Sequence, residues 1–288
     1  MNISFFVHRK PLLKRFIQKI KDDGVFYHVM MFVHSVLKQP MQIEHVKQKI
    51  LKTLIQKHNY KVAHGPFKGM KLNENPIWSK YDLITQMLGV YEKNVLSKII
   101  EFSQIDDSLF IDLGAADGYF AVGVASGGIF KKVCAFEINK KSQQCMINIA
   151  KNNDCMDKIN VYDEANYDSI KKLLHNEKHS PTILIDIEGA EYTLLDSKML
   201  SLLSNCNVIC ELHPWVKRNG KRVYRKVEEE NLLKNASKFF DVEMIQRESY
   251  SPNDFEELSG FNEVERLIAL SEGRGPNMHW LVLTPKKN

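Results

Sequence analysis

The chain has 288 residues, of which 44% are hydrophobic, 26% charged and 10% aromatic. That much apolar material builds a substantial core and excludes a disordered, collagen-like or low-complexity protein. The net charge of +5 is unevenly placed: residues 1–60 hold 11 Lys/Arg against 3 Asp/Glu, and the other 228 residues hold 29 against 32.

The basic first fifth reads as helices. Leu12, Leu13, Phe16, Ile17 and Ile20 form an apolar stripe with lysines off it, and further helical runs are expected over 25–37 and 43–55. Two readings fit: a solvated lysine face packed on the main domain, or a peripheral patch at residues 1–57 for anionic lipid or an acidic partner. No run reaches about 18 apolar residues, so no membrane span is expected. No secretory cleavage site follows the N-terminus, and five cysteines without a C-x-x-C pair read as reduced thiols. The expectation is a cytoplasmic protein, with a peripheral contact at the inner membrane face as the alternative for its N-terminal part.

Residues 60–72 alternate around Gly65-Pro66 and Gly69, which predicts a short hairpin or turn. Helices are expected over 80–88 and 93–102. From Ser108 the chain alternates short apolar runs (109–113, 132–136, 160–162, 183–187, 207–212) with helical patterns (119–125, 141–151, 167–175, 191–203). Such alternation predicts an α/β domain with a mostly parallel sheet. A charged helix over 221–239 follows. Two more strands, over 242–246 and 279–284, flank a long loop with a helix at 263–270.

Four of these runs end in a carboxylate: Asp112, Glu137, Asp186 and Glu211. In a parallel sheet these positions share one edge, where open α/β folds bind ligands. Gathering them is unfavourable unless a cation or a set of donors lies between them. The first turn, Asp112-Leu113-Gly114-Ala115-Ala116-Asp117-Gly118, is D-x-G-x-x-x-G and lacks the second glycine of the dinucleotide fingerprint. Asp117 would also repel a pyrophosphate at the helix N-terminus. A phosphate-free nucleoside bearing a sulfonium and an ammonium, S-adenosylmethionine, suits these acids. Glu137, 19 residues beyond Gly118, is placed to accept from both ribose hydroxyls.

The segment Ile185-Asp186-Ile187-Glu188-Gly189-Ala190-Glu191 completes a pattern. With Asp112, Gly114, Ala115 and Gly118, with Phe136-Glu137, and with Glu211-x-His213-Pro214, the chain resembles the FkbM-type methyltransferases over about 62–286. Ala116 stands where that family usually has Asn, and Leu184 where it has Lys; residues 1–57 fall outside the likeness. The resemblance implies a Rossmann-like class I methyltransferase fold: a mostly parallel seven-stranded sheet with an antiparallel last strand, after an N-terminal helical extension. It divides the chain into a basic helical extension (1–58), a hairpin and helices covering the active site (59–107) and the S-adenosylmethionine-binding domain (108–288).

The implied activity is O-methylation of a sugar, glycan or other small polyhydroxylated acceptor, as in polysaccharide biosynthesis, with S-adenosylhomocysteine as product. Expected cofactor contacts are Asp112, Gly114, Ala115, Asp117, Gly118, Tyr119, Phe120, Glu137, Ile138, Glu164, Ala165 and Asp186. His213 is the expected base, its ordinary pKa lying near working pH, with Glu188 and Glu211 orienting it or the acceptor. Trp78, Tyr91, Trp215, Arg218, Arg274 and Asn277 are expected at the acceptor. No metal is expected, although Asp186, Glu188, Glu211 and His213 offer the donor types of a hard-cation site. Nucleic-acid methylation through the basic helices, and a non-catalytic scaffold docking to a membrane or partner, are the competing readings. The net-acidic body disfavours nucleic acid.

Overall fold

A computed structural model describes residues 25–175, 180–218, 221–246, 250–272 and 278–286, with side chains from residue 42 onward except that of Arg218. The expected helix around Leu12–Ile20 lies outside the described residues. The chain divides into two compact units, Met1–Lys52 and Thr53–Asn288. In the first, residues 25–52 are helical. They belong to one helix, α1 (Val25–His58), which runs on through Pro40 where two helices were expected. A proline removes one i→i−4 hydrogen bond, and here that loss does not end the helix. No helix of the described residues is long and apolar enough to cross a membrane.

The second unit is built on a seven-stranded sheet: β1 (Leu109–Leu113), β2 (Lys132–Phe136), β3 (Ile159–Tyr162), β4 (Thr182–Ile185), β5 (Asn207–Leu212), β8 (Phe240–Ile245) and β9 (His279–Pro285). Their order is β3-β2-β1-β4-β5-β9-β8. The pairings of β1 to β5 are parallel, whereas β9 is antiparallel to both β5 and β8. The last strand alone is therefore reversed, as the sequence led one to expect. Strands β1, β4 and β5 are buried at every position. Continuous apolar runs are what a parallel sheet covered on both faces requires.

Residues on one face of β1 (Leu109, Ile111, Leu113) join Ile183, Ile185, Val208 and Cys210. Against them pack Leu195, Met199, Leu200 and Leu203 after β4, and Leu232 and Ala236 of the helix before β8. Phe110, on the opposite face, packs on Phe130 with ring centroids 5.2 Å apart. Strand alternation thus puts Asp112 on Phe110's side of the sheet. Before β1 come α2 (Asp82–Leu88) and α3 (Lys93–Ile105), the latter burying Val95, Leu96, Ile99 and Phe102. The turn expected at 60–72 is closed by an antiparallel bridge between Lys61 and Lys71. Cys134, Cys155, Cys206 and Cys210 are buried free thiols.

Three local expectations are corrected. Residues 221–224 are not helical. They form β7 (Lys221–Tyr224), paired with β6 (Trp215–Arg218), and the helix begins only at Lys226. The expected 191–203 helix is two short helices, Glu191–Leu194 and Ser197–Leu202, because Asp196 caps the second by accepting the Met199 N–H at 2.7 Å. Strand β4 stops at Ile185, so Asp186 and Ile187 belong to the turn that carries the site.

Candidate active site

The sheet register explains why distant carboxylates meet. Asp112 is level with Ala135 in β2 and Leu184 in β4, so Glu137 and Asp186 lie two positions further on. Ile185 is level with Cys210, which sets Asp186 beside Glu211. Above this edge lies a cavity of about 730 Å³, and all twelve residues expected at the cofactor line it.

Its floor is the turn after β1. Gly114 (φ +89°) and Gly118 (φ +90°) take the left-handed region, and Ala116 (φ +48°) joins them. Gly114 has no alternative, because a Cβ there would lie 1.8 Å from the Asp186 carbonyl oxygen. The N–H groups of Gly114 and Ala115 both donate to the Phe136 carbonyl at 2.9 Å, which locks the turn to β2. Gly118 precedes the helix α4 (Tyr119–Ser126). Tyr119 packs against Phe67 and Tyr91, with centroids 5.3 and 5.2 Å away.

Glu137 is held at both oxygens: Oε2 accepts the Ala116 N–H at 2.9 Å and Oε1 the Asn139 N–H at 2.7 Å. Each oxygen keeps a second lone pair. Asp117 is tied to the segment before α2, its Oδ2 accepting the Ile77 N–H at 2.8 Å and the Asn73 amide at 3.3 Å. Burial still raises its pKa, against those two hydrogen bonds. Asp112 is 2% exposed. Burial first, then Asp186 and Glu137, push it up to about 8 against a backbone hydrogen bond from Ala121. Four buried atoms around the cavity have no hydrogen-bond partner among the described residues: Asp112 Oδ2, Asp117 Oδ1, Tyr119 Oη and Asp186 Oδ1.

Beside the cavity stands His213, just past the end of β5. Its Nδ1 lies 2.9 Å from Oε1 of Glu191, a carboxylate fully removed from solvent. Its Nε2 faces three more carboxylates: Glu188 at 3.5 Å, Asp186 at 3.8 Å and Glu211 at 3.8 Å. Burial opposes a charge on His213, yet Glu191, Asp186 and Glu188 outweigh it and raise the imidazole pKa. Asp186 is pushed up to about 6, chiefly by burial. Glu211 is pushed well above the usual carboxylate range by burial and by its hydrogen-bonded neighbour Asp186, which favours its protonated form. One ligand atom each from Asp186, Glu211 and His213 falls within 4.8 Å of the others, so the trio has the spacing of a cation site as well as that of a proton-handling cluster.

The turn bearing Glu188 is strained and braced. Glu188 has φ +54° and Gly189 φ +105°. Glu191 Oε1 accepts the N–H groups of Gly189 (2.9 Å) and Ile187 (3.3 Å), while Arg225 Nη1 donates to the Gly189 carbonyl at 2.7 Å. Arg225 also lies over the Tyr192 ring, 4.2 Å from its centroid.

The cavity lining includes Glu188, Trp78 and Tyr91; His213, Glu211 and Trp215 stand outside it. Trp215 packs on Tyr224 in the β6–β7 hairpin instead. The Arg218 side chain, Arg274 and Asn277 lie outside the described residues. The sequence reading had not singled out Glu191 as His213's partner, nor Asn73, Asp82, Gln86 and Glu272 in the cavity wall. For Glu191 the signal was present, as the last acid of the motif begun at Asp186.

The strand order, with β9 alone reversed, defines the Rossmann-like class I methyltransferase fold. No protein-family model matches the chain, and no curated protein sequence matches it. Among solved structures it is similar to an O-methyltransferase from Bacillus cereus in complex with S-adenosylhomocysteine, at 13% identity and a TM-score of 0.44, over 88% of this chain and 96% of that one. It is also similar to an rRNA methylase from Streptococcus thermophilus, at 10% identity and a TM-score of 0.41, over 67% of this chain and 95% of that one. At such identities and scores, the chemistry must be reasoned from this chain's own residues.

Proposed function

We propose that the protein is an S-adenosylmethionine-dependent O-methyltransferase of the FkbM type, acting on a hydroxyl of a sugar, glycan or other small polyhydroxylated acceptor. One observation carries this reading: four buried polar atoms without a hydrogen-bond partner among the described residues, three of them carboxylate oxygens, surround a single cavity at the carboxyl edge of the sheet. Leaving such a group unsatisfied costs about 1–3 kcal/mol, so the cavity is suited to a ligand rich in hydrogen-bond donors and positive charge. S-adenosylmethionine fits that requirement and, when bound, supplies a methyl group already activated by its sulfonium.

In this reading the spare lone pairs of Glu137 hold the ribose hydroxyls. Asp112 and Asp117 receive the charged methionine end, and Ile138, Glu164 and Ala165 border the adenine. The protein's part is alignment and exclusion of water, and the removal of one proton. Glu188 lines the cavity and stands nearest to His213 Nε2, so the acceptor's proton enters there and comes to rest on His213. Glu191 holds His213 with Nδ1 protonated and Nε2 turned towards that path.

Calorimetry with S-adenosylmethionine and S-adenosylhomocysteine tests the cofactor half; a protein that gives no saturable heat with either is not this enzyme. Incubation with methyl-labelled cofactor and fractionated extract tests the other half, since the label should enter an alkali-stable ether.

A further inference from the structure

The β6–β7 hairpin gathers positive charge on a body that otherwise runs acidic. Residues 61–288 hold 29 Lys/Arg against 32 Asp/Glu, yet six of those bases fall within residues 215–226, where there is no acid. Strand register shows how they are held. Trp215 is level with Tyr224, and Lys217 with Arg222, so strand alternation puts these four on one face. The rings of Trp215 and Tyr224 stand 5.1 Å apart, and the Arg222 guanidinium lies over the indole, 5.1 Å from its centroid. Lys217 and Arg222 are thus like charges directly across a strand pair, an arrangement that costs stability when no anion lies between them.

Lys217, Lys221 and Arg222 are exposed. The acids of the following helix are engaged elsewhere: Glu228 lies 3.8 Å from Arg225 and Glu230 3.8 Å from Lys226, while Glu229 accepts the Tyr224 hydroxyl at 3.1 Å and stands 3.3 Å from His279. A second observation ties the hairpin to the chemistry. It begins two residues after His213, and Arg225, which follows it, donates its N–H to the Pro214 carbonyl and its Nη1 to the Gly189 carbonyl, both at 2.7 Å. A molecule seated on the hairpin is therefore fixed relative to Glu188 and His213 from outside the cavity.

An anion answers the charge, and the aromatic pair narrows its kind. Half-buried rings beside exposed cations suit a chain of sugar rings that bears acidic groups. Strands of four residues span about 13 Å, too little for the roughly six to ten phosphates that a nucleic-acid site neutralises, and a strand running further would meet the acidic body. Val223, 36% exposed, offers little to insert into a bilayer.

Resting on the methyltransferase reading, we propose that the β6–β7 hairpin docks the acceptor and that the acceptor is an anionic glycan. Its acidic groups pair with Lys217, Lys221 and Arg222, its rings lie beside Trp215 and Tyr224, and a hydroxyl further along the chain enters the cavity at Glu188.

The test measures binding of labelled hexagalacturonate, a carboxylated sugar chain, to the full chain saturated with S-adenosylhomocysteine. The comparison is its methyl-esterified form, which keeps the rings and loses the charge. The acid form should bind about tenfold more tightly, the sum of three exposed charge pairs. In the triple variant Lys217→Gln, Lys221→Gln, Arg222→Gln that ratio should fall towards one, with unchanged affinity for S-adenosylhomocysteine certifying the fold; Lys221→Gln alone should lower it about twofold. Residues 1–57 are the same in every variant, so a preference that survives the triple substitution belongs elsewhere and overturns the proposal. Equal binding of the two forms, or binding of neither, overturns it too. So does tighter binding of a short single-stranded RNA, or of phosphatidylglycerol vesicles, that the triple substitution abolishes. If S-adenosylhomocysteine itself does not bind, the methyltransferase reading fails separately, and the same titrations on the protein alone still judge the hairpin.

Discussion

Glu191 Oε1 is 2.9 Å from His213 Nδ1, and that one oxygen also accepts the amide hydrogens of Gly189 and Ile187. A buried carboxylate thus sets both the imidazole and the turn that carries Glu188. Glu191→Gln should lower the His213 pKa and slow methyl transfer by about 100-fold or more, as removal of an orienting carboxylate does in hydrolytic triads, with cofactor affinity unchanged. NMR titration of the imidazole alongside turnover checks this. An unshifted His213 with normal turnover would leave Glu191 a purely structural residue.

His213 acts as a base only when neutral, and its neighbours raise its pKa above 6.5. Turnover should therefore rise with pH through that raised value, and His213→Ala should flatten the profile and cost roughly 100-fold or more. Stability moves the other way. The pairing of His213⁺ with its acids is fully present below pH 6.5 and fades as pH climbs through the folded-state value.

For Asp112, raised by burial and by Asp186 to about 8, ionisation in the empty site costs stability as pH rises from the ordinary carboxylate range towards 8. A bound cation reverses this by favouring the ionised form. Affinity for S-adenosylmethionine should accordingly increase from pH 5.5 to 8.5 with release of protons, and more steeply than for uncharged-sulfur S-adenosylhomocysteine. Calorimetry in two buffers of different ionisation heat reads both effects.

Asp112→Asn should separate function from stability. The unliganded variant should be more stable by about 0.5–2 kcal/mol at pH 7, the usual yield of relieving a functional strain, yet bind S-adenosylmethionine about 1–3 kcal/mol more weakly. Thermal melts with and without cofactor provide both numbers. A variant that binds normally would remove Asp112 from the site.

Two glycines make a matched pair. At Gly114 (φ +89°) a Cβ would lie 1.8 Å from a backbone oxygen, whereas at Gly69 (φ +91°) it would meet nothing within 4 Å. Gly69→Ala should cost about 1–3 kcal/mol, the price of left-handed backbone alone. Gly114→Ala should cost clearly more and abolish cofactor binding.

Exhaustive chelation should leave turnover unchanged. Burial and the neighbouring Asp186 push the Glu211 pKa up and favour its protonated form, which is a poor cation ligand. Loss of turnover restored by magnesium or manganese would reassign Asp186, Glu211 and His213 as ligands.

Much of this was legible from residue order. The buried stretches of β1, β2, β4 and β5 read as apolar runs, each with its carboxylate at or beside the strand's end, at Asp112, Glu137, Asp186 or Glu211, because period and burial are local properties of a parallel sheet. Residues 221–224 were read as the start of a charged helix, whereas they pair with β6.

What chain order could not disclose is which acids touch which partners. Asp117 is occupied by Ile77 and Asn73, some 40 positions upstream. His213 meets Glu191 across the sheet from β4 to β5, and Asp82 and Glu272 reach one cavity from opposite ends of the domain. Side-chain pairing of this kind follows from strand register and helix packing, which are long-range outcomes of burying the core. Local periodicity identifies the elements, and only their assembly brings these carboxylates into a shared, poorly solvated space where their charges act on one another.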